Sequence, residues 1–385
     1  DGADWFVWLI LAGRGWGKAL AIDTPIPTPN GWTEMGSLRP GDVVFGADGF
    51  PTRVTFATDV MDGRPCYRVT FGDGASIVAD ADHQWAARSR ADRRVGRAYR
   101  TVTTREMSRC LTVAGESNWQ MPAARPLQMP EEDLPIDPYL FGFWLGDGDS
   151  AGSGLTIGDA DASKILAMLP EPYSPTRAAL RYAPAPRAAE HCPVSGDFMP
   201  NGSIHSRLKS LGVIGNKHIP IRYLRASEPQ RASLLEGLID SDGWVEHQTG
   251  RIEITSNRAK LAADIAELAR SLGHRARVIA GRATINGRDC GPKFRVQWVA
   301  RFGGGRLERK RVPDRRGLGQ PERLTTRYVK SIEEVPSVSV RCISVDAPDE
   351  LYLAGRDFLV THNTRTAVEN IARMVRGPSP LIAPP

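Results

Sequence analysis

The sequence has few cysteines and no long apolar run, and each shortage excludes a class of protein. Its five cysteines among 385 residues are scattered, and no two stand in a Cys-x-x-Cys pair. This usage excludes a disulfide framework and a cysteine-ligated zinc site, and it indicates a reducing cytoplasm. No stretch of eighteen apolar residues occurs, so we expect no membrane-spanning segment and no membrane partner.

The length and the charge of the chain limit the number of domains and the kinds of partner that we expect. A chain of 385 residues suggests two or three domains. Its hydrophobic content of 41% and charged content of 24% are ordinary for a globular protein. The net charge of +6 is compatible with nucleic-acid binding but does not establish it.

Residues near the start of the chain form an incomplete phosphate-binding loop. An apolar run of strand length, residues 5–11, is followed by Ala12-Gly-Arg-Gly-Trp-Gly-Lys18. Such a loop cradles nucleotide phosphates and needs Ser or Thr directly after the Lys to coordinate magnesium. Here Ala19 takes that place, so the motif is broken when it is taken alone.

Deletion of residues 19–363 restores this motif. Lys18 then meets Thr364, which gives Gly-Trp-Gly-Lys-Thr, and a segment with apolar residues at helical spacing follows. The joined ends predict a strand, a loop and a helix, in which Gly17, Lys18 and Thr364 bind ATP phosphates with Mg²⁺. The joined flank resembles the large terminase subunit of tailed phages. This resemblance implies a phage-encoded terminase ATPase as host, in the cytoplasm of a bacterial cell.

The first part of the segment between the flanks contains three recognisable blocks. They are residues 19–32, residues 35–45 and Val78-Ala-Asp-Ala-Asp-His-Gln-Trp85, with a predicted hairpin over 66–78. These blocks resemble the opening blocks of inteins, which are segments that excise themselves from a host protein. The resemblance implies that His83 hydrogen-bonds the amide of the Lys18–Ala19 junction and helps its nitrogen leave. Asp80 stands where the family usually has Thr, and we expect it to orient or charge the imidazole.

The last part of the segment ends in Phe358-Leu-Val-Thr-His-Asn-Thr364. Together with residues 340–345 and 351–355, it resembles the last two intein blocks. The resemblance implies that Asn363 attacks its own carbonyl and closes a succinimide, assisted by His362, while Thr364 accepts the upstream segment. Splicing itself would need no cofactor. Cys342 stands where many family members have Asp or Cys, and either a role in coupling the steps or a buried apolar position fits it.

Ala19 departs from the family pattern. Inteins usually begin with Cys or Ser, whose side chain attacks the preceding carbonyl, and Ala19 has no such atom. Two explanations fit: a replaced Cys that traps the precursor, or a natural variant in which Thr364 attacks the Lys18 carbonyl directly. We favour the first, so splicing is expected to be blocked or slowed.

The middle of the chain contains two similar apolar segments. They are Leu140-Phe-Gly-Phe-Trp-Leu-Gly-Asp-Gly148 and Leu235-Glu-Gly-Leu-Ile-Asp-Ser-Asp-Gly243. Each has two small residues four positions apart, a pattern that lets two helices approach closely. Packing on these faces would bring Asp147 and Asp242 side by side at helix C-termini. Two carboxylates are unfavourable there unless a divalent cation lies between them.

These two segments resemble the motif of LAGLIDADG (DOD-type) homing endonucleases. The resemblance implies a pseudo-symmetric monomer that cleaves an extended, asymmetric double-stranded DNA site in the intein-less host gene. It implies Mg²⁺ bound by Asp147 and Asp242, and it matches Lys217 to a lysine near the scissile phosphate; an ordinary surface lysine on DNA is the alternative. Predicted strands over 251–255, 275–279 and 294–298, with a helix over 259–272, supply the surface that lies on DNA.

These patterns together predict an all-β Hint horseshoe splicing domain in two sequence halves, with an inserted α+β LAGLIDADG domain of pseudo-two-fold symmetry. The predicted order is an upstream flank 1–18, a first splicing half 19–130, an endonuclease 131–305, a basic linker 306–323, a second splicing half 324–363 and a downstream flank 364–385.

Three other functions remain as alternatives. The first is a homing endonuclease with an inactive splicing element or without one. The second is a terminase ATPase fragment with an inert insertion, and the third is a self-cleaving domain of the hedgehog type. A free-standing endonuclease does not explain His362-Asn363-Thr364, and a hedgehog-type domain needs neither Asn363 nor a restored host motif. The phosphate loop of a terminase cannot close around phosphate with 345 residues between Lys18 and Thr364.

Overall fold

The computed structural model describes residues 19–185, 202–300, 303–313 and 325–362. The predicted flanks 1–18 and 364–385, with Gly17, Lys18 and Thr364, lie outside the described residues, and so does Asn363, the last residue of the second splicing half. Within the described ranges the chain forms an all-β domain from its two ends and an α+β domain from its middle. No helix among these residues has the length and apolar character that crossing a bilayer requires.

The all-β domain consists of short antiparallel strands and two short helices. Its helices are α1 Arg90–Arg94 and α2 Thr104–Ser108, with a 3₁₀ turn at Met35–Ser37. Counted along the whole chain, its strands are β1 Leu20–Ala21, β2 Pro25–Thr28, β3 Gly31–Glu34, β4 Val43–Phe45, β5 Pro51–Ala57, β6 Cys66–Phe71, β7 Ser76–Asp80, β8 Gln84–Ala87, β9 Arg100–Thr103, β10 Thr112–Val113, β11 Glu116–Ser117, β12 Gln120–Pro122, β22 Thr326–Val335, β23 Val340–Arg341, β24 Ile343–Val345, β25 Leu351–Ala354 and β26 Leu359–His362.

The two ends of the described chain interleave in one six-stranded sheet. Its order is β12-β22-β6-β7-β1-β23, so β22 and β23, which follow the α+β domain in sequence, each lie beside strands that precede it. Leu20 pairs with Ala79 on one side and with Arg341 on the other. Because both halves contribute to one sheet and to one core around Trp85, neither half can bury its apolar face alone.

The α+β domain contains the two repeated segments as long helices. Its helices are α3 Pro138–Asp147, α4 Asp159–Met168, α5 Ile204–Ser210, α6 Ile221–Leu224, α7 Glu228–Asp242 and α8 Ala259–Ser271. Its strands are β13 Leu155–Thr156, β14 Tyr173–Pro175, β15 Arg181–Pro184, β16 Gly243–Glu246, β17 Arg251–Ser256, β18 Arg277–Ile285, β19 Arg288–Val299, β20 Gly303–Gly304 and β21 Arg311–Val312. The predicted helix over 259–272 and strand over 251–255 are confirmed within one residue.

Helices α3 and α7 pack at the distance that their small residues allow. A Cβ atom on Gly142 would overlap the carbonyl oxygen of Leu234, and one on Gly237 would lie 2.7 Å from the Phe143 nitrogen. The side chains of Tyr139–Leu145 are all buried, because α3 lies at the centre of the domain core. The predicted close approach of the two helices is therefore confirmed.

The four-stranded sheet β16-β17-β19-β18 has one apolar and one polar face. Ile252 and Ile254 on β17 are buried in the domain core, whereas Arg251, the first residue of the same strand, is exposed. Strand β16 starts directly after Asp242, at the end of α7. The polar face of this sheet therefore begins beside the two repeated helices.

The two domains are joined by buried arginines. Arg225 donates to the carbonyl oxygens of Thr28 (2.9 Å) and Gly31 (3.2 Å) in the all-β domain, and to Glu267 (2.8 Å) in its own. Arg231 donates to the carbonyl oxygens of Leu127 and of Ser271, the latter at 2.6 Å. A buried guanidinium with this many acceptors fixes the two domains against each other.

The prediction of a basic linker over 306–323 is wrong for its described part, residues 306–313. Leu307 and Val312 belong to the core of the α+β domain, and Lys310 is only 5% exposed. The charge of this segment suggested a solvated linker, but its apolar residues at 307 and 312 pack against the domain. Residues 314–323 lie outside the described residues.

We expect Gly237→Ala to separate α3 from α7. Its Cβ would meet backbone atoms of the facing helix, which cannot rotate away, so the free energy of unfolding should fall by about 3 kcal/mol, near the upper end for overpacking. Urea unfolding followed by tryptophan fluorescence measures this change. Gly158→Ala is the control, because nothing lies within 4 Å of the Cβ position at Gly158. Equal stability of the two variants would contradict the role of the close approach.

Candidate active sites

The first candidate site lies where the C-terminal ends of α3 and α7 meet. Asp147 and Asp242 are the last residues of these helices. The Asp242 Oδ2 atom lies 3.2 Å from the position that a Cβ on Gly146 would take, so its carboxylate reaches across to α3. Burial, and then the charge of Asp242, raise the pKa of Asp147 to about 6. Burial also raises the pKa of Asp242.

Lys217 caps the end of α3 and is not a surface residue. Its Nζ lies within hydrogen-bonding distance of the carbonyl oxygens of Trp144 (2.9 Å), Leu145 (3.1 Å), Gly146 (3.2 Å) and Gly148 (2.7 Å). An ammonium group is favoured at the negative end of a helix dipole. Burial lowers its pKa to about 8, against the opposing effect of the Asp242 charge.

Lys310 makes the corresponding contacts at the end of α7. Its Nζ donates to the carbonyl oxygens of Ile239 (2.9 Å), Asp240 (2.7 Å) and Ser241 (2.8 Å). Burial lowers its pKa, and the charges of Asp147 and Asp242 oppose that shift. Sequence reasoning missed Lys310 because it lies in a run of basic residues that is typical of a solvated segment.

Asp240 anchors the loop that carries Lys310. Its carboxylate accepts from the backbone N–H groups of Arg306 (2.8 Å) and Leu307 (3.1 Å) and from the hydroxyl of Tyr139 (2.8 Å). The corresponding position in the first repeat is Leu145, which has no polar atoms in its side chain. The second repeat therefore holds its lysine through a buried carboxylate.

The residues present fit a divalent cation. Among the described residues, no group of three or more His, Cys, Asp or Glu side chains is placed to hold a metal ion, so protein side chains would supply only two ligands. Two adjacent carboxylates with a raised pKa are destabilised by each other and by burial, and a cation between them relieves both effects. Asp147 and Asp242 would hold the ion, and water or phosphate oxygens would complete its shell, as Mg²⁺ usually requires.

The second candidate site surrounds Ala19, at the start of the described chain. Its methyl group is fully buried in a cluster with Cys66, Val340 and Cys342, and its carbonyl oxygen accepts from the Asp80 N–H at 2.9 Å. The structure brings Cys342 into contact with Ala19 in this apolar cluster, and both predicted interpretations of Cys342, a role in coupling the steps and a buried apolar position, are compatible with this place. Cys66 was not predicted at the site, because nothing in its surrounding sequence distinguishes it from a core residue.

A chain of hydrogen bonds links Ala19 to the last described residues. The Asp80 N–H donates to Ala19, the Asp80 carbonyl accepts from the His83 N–H at 3.0 Å, and the His83 Nε2 contacts the Thr361 hydroxyl at 2.5 Å. His83 and Thr361 are fully buried. Thr361 directly precedes His362, whose Nε2 lies 3.5 Å from the Thr101 hydroxyl and 3.8 Å from the Glu350 carboxylate. Sequence reasoning missed Thr361.

The carboxylate of Asp80 was predicted to contact the imidazole of His83, but its hydrogen-bonding partners in the structure are different. Its Oδ2 accepts from the Arg64 guanidinium, and its Oδ1 accepts from the Asp82 N–H at 2.6 Å. The hydrogen bond from Arg64 to Asp80 raises the pKa of Arg64. Asp80 thus holds the turn before His83 through its backbone and through Arg64, where the sequence alone suggested contact with the imidazole.

Comparisons with known proteins find relatives of the α+β domain and of the whole chain. Residues 229–292, which contain α7, β17 and α8, match the family model of the LAGLIDADG-like domain. Fold and site thus define a chain in which a LAGLIDADG-like domain is inserted into an all-β domain. Solved structures with detectable similarity include the MchDnaB-1 intein, with 20% identity, 90% of this chain and 100% of that chain covered, and a TM-score of 0.29. A TM-score this low supports no argument.

Curated relatives are replicative DNA helicases. The DnaB helicase of Mycobacterium intracellulare is 37% identical over 383 residues, which cover 95% of this chain and 62% of that protein. The DnaB helicase of Mycobacterium leprae (strain TN) is 60% identical over 78 residues, or 20% of this chain and 13% of that protein. The chain thus spans less than two thirds of the first relative. The helicase names do not support a phage terminase as the host protein. These comparisons also give no support to the prediction that Ala19 blocks splicing.

We expect Lys310→Met and Lys217→Met to slow DNA cleavage equally, by about a hundredfold or more, because each removes a fixed positive charge beside the carboxylates. The substrate is the joined-flank duplex, which encodes residues 1–18 fused directly to 364–385. Single-turnover cleavage with Mg²⁺ measures the rate. Lys330→Met is the control, because Lys330 is exposed on β22. Full activity of Lys310→Met would show that Lys310 only caps a helix.

We expect Mg²⁺ affinity to depend on pH through Asp147. Because its pKa is raised to about 6, the carboxyl is protonated below that pH and loses its capacity to bind a cation. Affinity should therefore fall as pH drops from about 8 to about 5, approaching tenfold per pH unit below 6. Titration calorimetry without DNA measures it. Asp147→Asn should bind weakly throughout with a flatter profile, and a flat profile in the unaltered chain would contradict the assignment.

Proposed function

We propose that the chain is an intein, of the Hint fold, that excises residues 19–363 and joins Lys18 to Thr364. The observation that carries this proposal is the chain of hydrogen bonds from Ala19 through Asp80 and His83 to Thr361. It connects the first residue of the segment to its last strand, β26, although almost the whole segment separates the two in sequence. A domain that only carried an endonuclease would have no need to hold its two ends together.

The chemistry proposed at the ends uses residues on both sides of this arrangement. The Thr364 hydroxyl attacks the Lys18 carbonyl, and the Ala19 nitrogen leaves with a proton supplied through His83. The Asn363 side-chain nitrogen then attacks its own carbonyl carbon, which closes a succinimide and releases the segment. The freed Thr364 amine finally takes the acyl group from its own oxygen and forms a peptide bond.

His362 and Cys342 have supporting roles in this proposal. His362 would protonate the Thr364 nitrogen as it leaves Asn363, and Thr101 and Glu350 beside it fix its ring. Cys342 lies against Ala19 and would shape the apolar pocket that receives the junction. A side chain with a thiol at position 19 would add a faster first step, which Ala19 lacks.

We also propose that the inserted domain cleaves double-stranded DNA at a site in the host gene without the intein. Asp147 with Lys217 and Asp242 with Lys310 form two similar halves, and these fit a pseudo-two-fold monomer that reads an asymmetric site. A divalent cation held by Asp147 and Asp242 would polarise the scissile phosphate and activate water. The two lysines would stabilise the charge that develops on the phosphate oxygens.

For the host we propose a nucleotide-binding protein whose phosphate loop contains the insertion. Joining Lys18 to Thr364 gives Gly-Trp-Gly-Lys-Thr, the form that holds phosphate and magnesium. The names of the curated relatives favour a replicative helicase of the DnaB type over a terminase. The host would bind ATP only after splicing, because the insertion separates Lys18 from Thr364.

We expect Asn363→Ala to abolish cleavage between residues 363 and 364, because succinimide closure needs the side-chain amide nitrogen. We expect Ala19→Cys to accelerate release of the segment relative to the unaltered chain. Intact-mass analysis after expression distinguishes precursor, joined flanks and the free segment of 345 residues, counted as 363 − 19 + 1. Asn257→Ala is the matched control, since Asn257 is exposed and belongs to the α+β domain.

The outcomes separate the two candidate functions. If the unaltered chain splices, direct attack by Thr364 is its route and Ala19 is its natural first residue. If only Ala19→Cys splices, Ala19 blocks the first step. If neither is processed while the joined-flank duplex is still cut, the chain is a homing endonuclease with an inactive splicing element.

A further inference from the structure

An open groove of about 630 Å³ lies between the two domains, away from both candidate active sites. Its lining includes four arginines, of which three belong to the α+β domain and one, Arg93, to the all-β domain. The groove is lined by Gly72, Asp73, Arg93, Glu116, Ser117, Arg251, Arg275, Arg277, Gln297, Trp298, Val299 and Tyr328.

The floor of this groove continues the polar face of the four-stranded sheet. Arg251 pairs with Val299, and Arg277 pairs with Gln297, so these residues point to the same side of the sheet. That face begins on β16, directly after Asp242. A DNA duplex that reaches the carboxylates and lies along this face would therefore run towards the groove.

The wall of the groove is an ordered part of the all-β domain. Arg93 donates to the carbonyl oxygens of Asn118 (2.6 Å) and Ser117 (2.9 Å), and its guanidinium carbon lies 5.2 Å from the centre of the Tyr328 ring. These acceptors are neutral, so they hold the guanidinium without cancelling its charge. A fixed cation loses little conformational entropy when it contacts a phosphate.

The charge balance of the groove favours an anion. Its two acidic residues are paired with arginines, Asp73 with Arg327 at 2.6 Å and Glu116 with Arg90 at 2.8 Å. Of the lining arginines, Arg251 has a counterion outside the groove, Glu246 at 3.6 Å, whereas Arg93 and Arg277 donate to neutral acceptors. Residues 88–100, which include α1 and Arg93 itself, contain five arginines besides Arg93 and one acidic residue, Asp92.

We propose that this groove binds the phosphodiester backbone of duplex DNA, so that the all-β domain forms part of the DNA-binding surface. The inference rests on the proposed endonuclease function and adds to it a DNA contact made by the splicing domain. Arg93 is the residue of that domain through which the contact would be made, and Arg251 and Arg277 continue it on the sheet.

The test measures binding of the joined-flank duplex and of a scrambled duplex of equal length, across a range of salt concentrations, by fluorescence anisotropy. All proteins carry Asn363→Ala, which keeps them in one covalent form. Arg93→Gln should weaken binding of the joined-flank duplex about five- to tenfold and reduce the slope of log affinity against log salt by about 1. Glu116→Lys, which replaces an acidic lining residue by a basic one, should tighten binding. Arg39→Gln, the same charge change outside the groove, is the control.

The outcomes distinguish this inference from the function on which it rests. If the joined-flank duplex binds better than the scrambled one, but Arg93→Gln and Glu116→Lys both leave affinity and salt slope unchanged, the groove does not bind DNA and the endonuclease proposal stands. If the parent chain binds neither duplex, the endonuclease proposal itself fails. Opposite changes in the two variants, with Arg39→Gln unchanged, support the contact.

Discussion

The antiparallel pairing of β12 with β22 is the contact on which the rest of the structure depends. The chain leaves the all-β domain after β12 and re-enters it at β22, and the two strands meet at Met121 and Arg327. Gln120 strengthens this junction through its side-chain amide, which donates to the hydroxyls of Thr326 (3.0 Å) and Tyr328 (2.9 Å). Closing so long a loop costs little more entropy than closing a short one, so a whole domain fits between neighbouring strands.

The inserted domain depends on a second constraint, the balance of charge where α3 and α7 end. Two carboxylates at the negative ends of two helices would oppose folding. Lys217 and Lys310 offset that cost by binding the exposed carbonyl oxygens of the same helix ends. The Asp242 carboxylate reaches across to α3 beside Gly146. The same groups that stabilise the helix ends therefore surround the cation site that we propose.

The two domains are more than a host domain and an independent insert. Arg225 connects the turn between β2 and β3 to helix α8, and Arg270 pairs with Asp357 at 2.6 Å. These contacts fix the sheet of one domain beside the wall of the other and form the groove at Arg93. A fixed orientation is what lets one continuous surface extend over both domains. The splicing chemistry and the DNA-binding surface therefore share a scaffold while their reactive groups stay apart.

The sequence by itself determined the local features of this protein. Small residues four apart in the two repeats, Gly142/Gly146 and Gly237/Ser241, predicted the approach of α3 and α7, because such residues leave room for a facing backbone. Asp147, Asp242 and His83 were predicted because each lies in a block with its own recognisable pattern. The two ends were assigned to one unit because deleting the segment restores a motif.

Only the tertiary structure decided the contacts made between distant segments. Lys310 resembles its basic neighbours in sequence, and its role depends on Leu307 and Asp240, which draw its loop onto α7. Thr361 meets His83 across a separation of 278 residues, and Asp80 turns to Arg64 instead of the imidazole. The reason is physical: a hydrogen bond depends on which strands become neighbours, and the local residue pattern carries no record of that pairing.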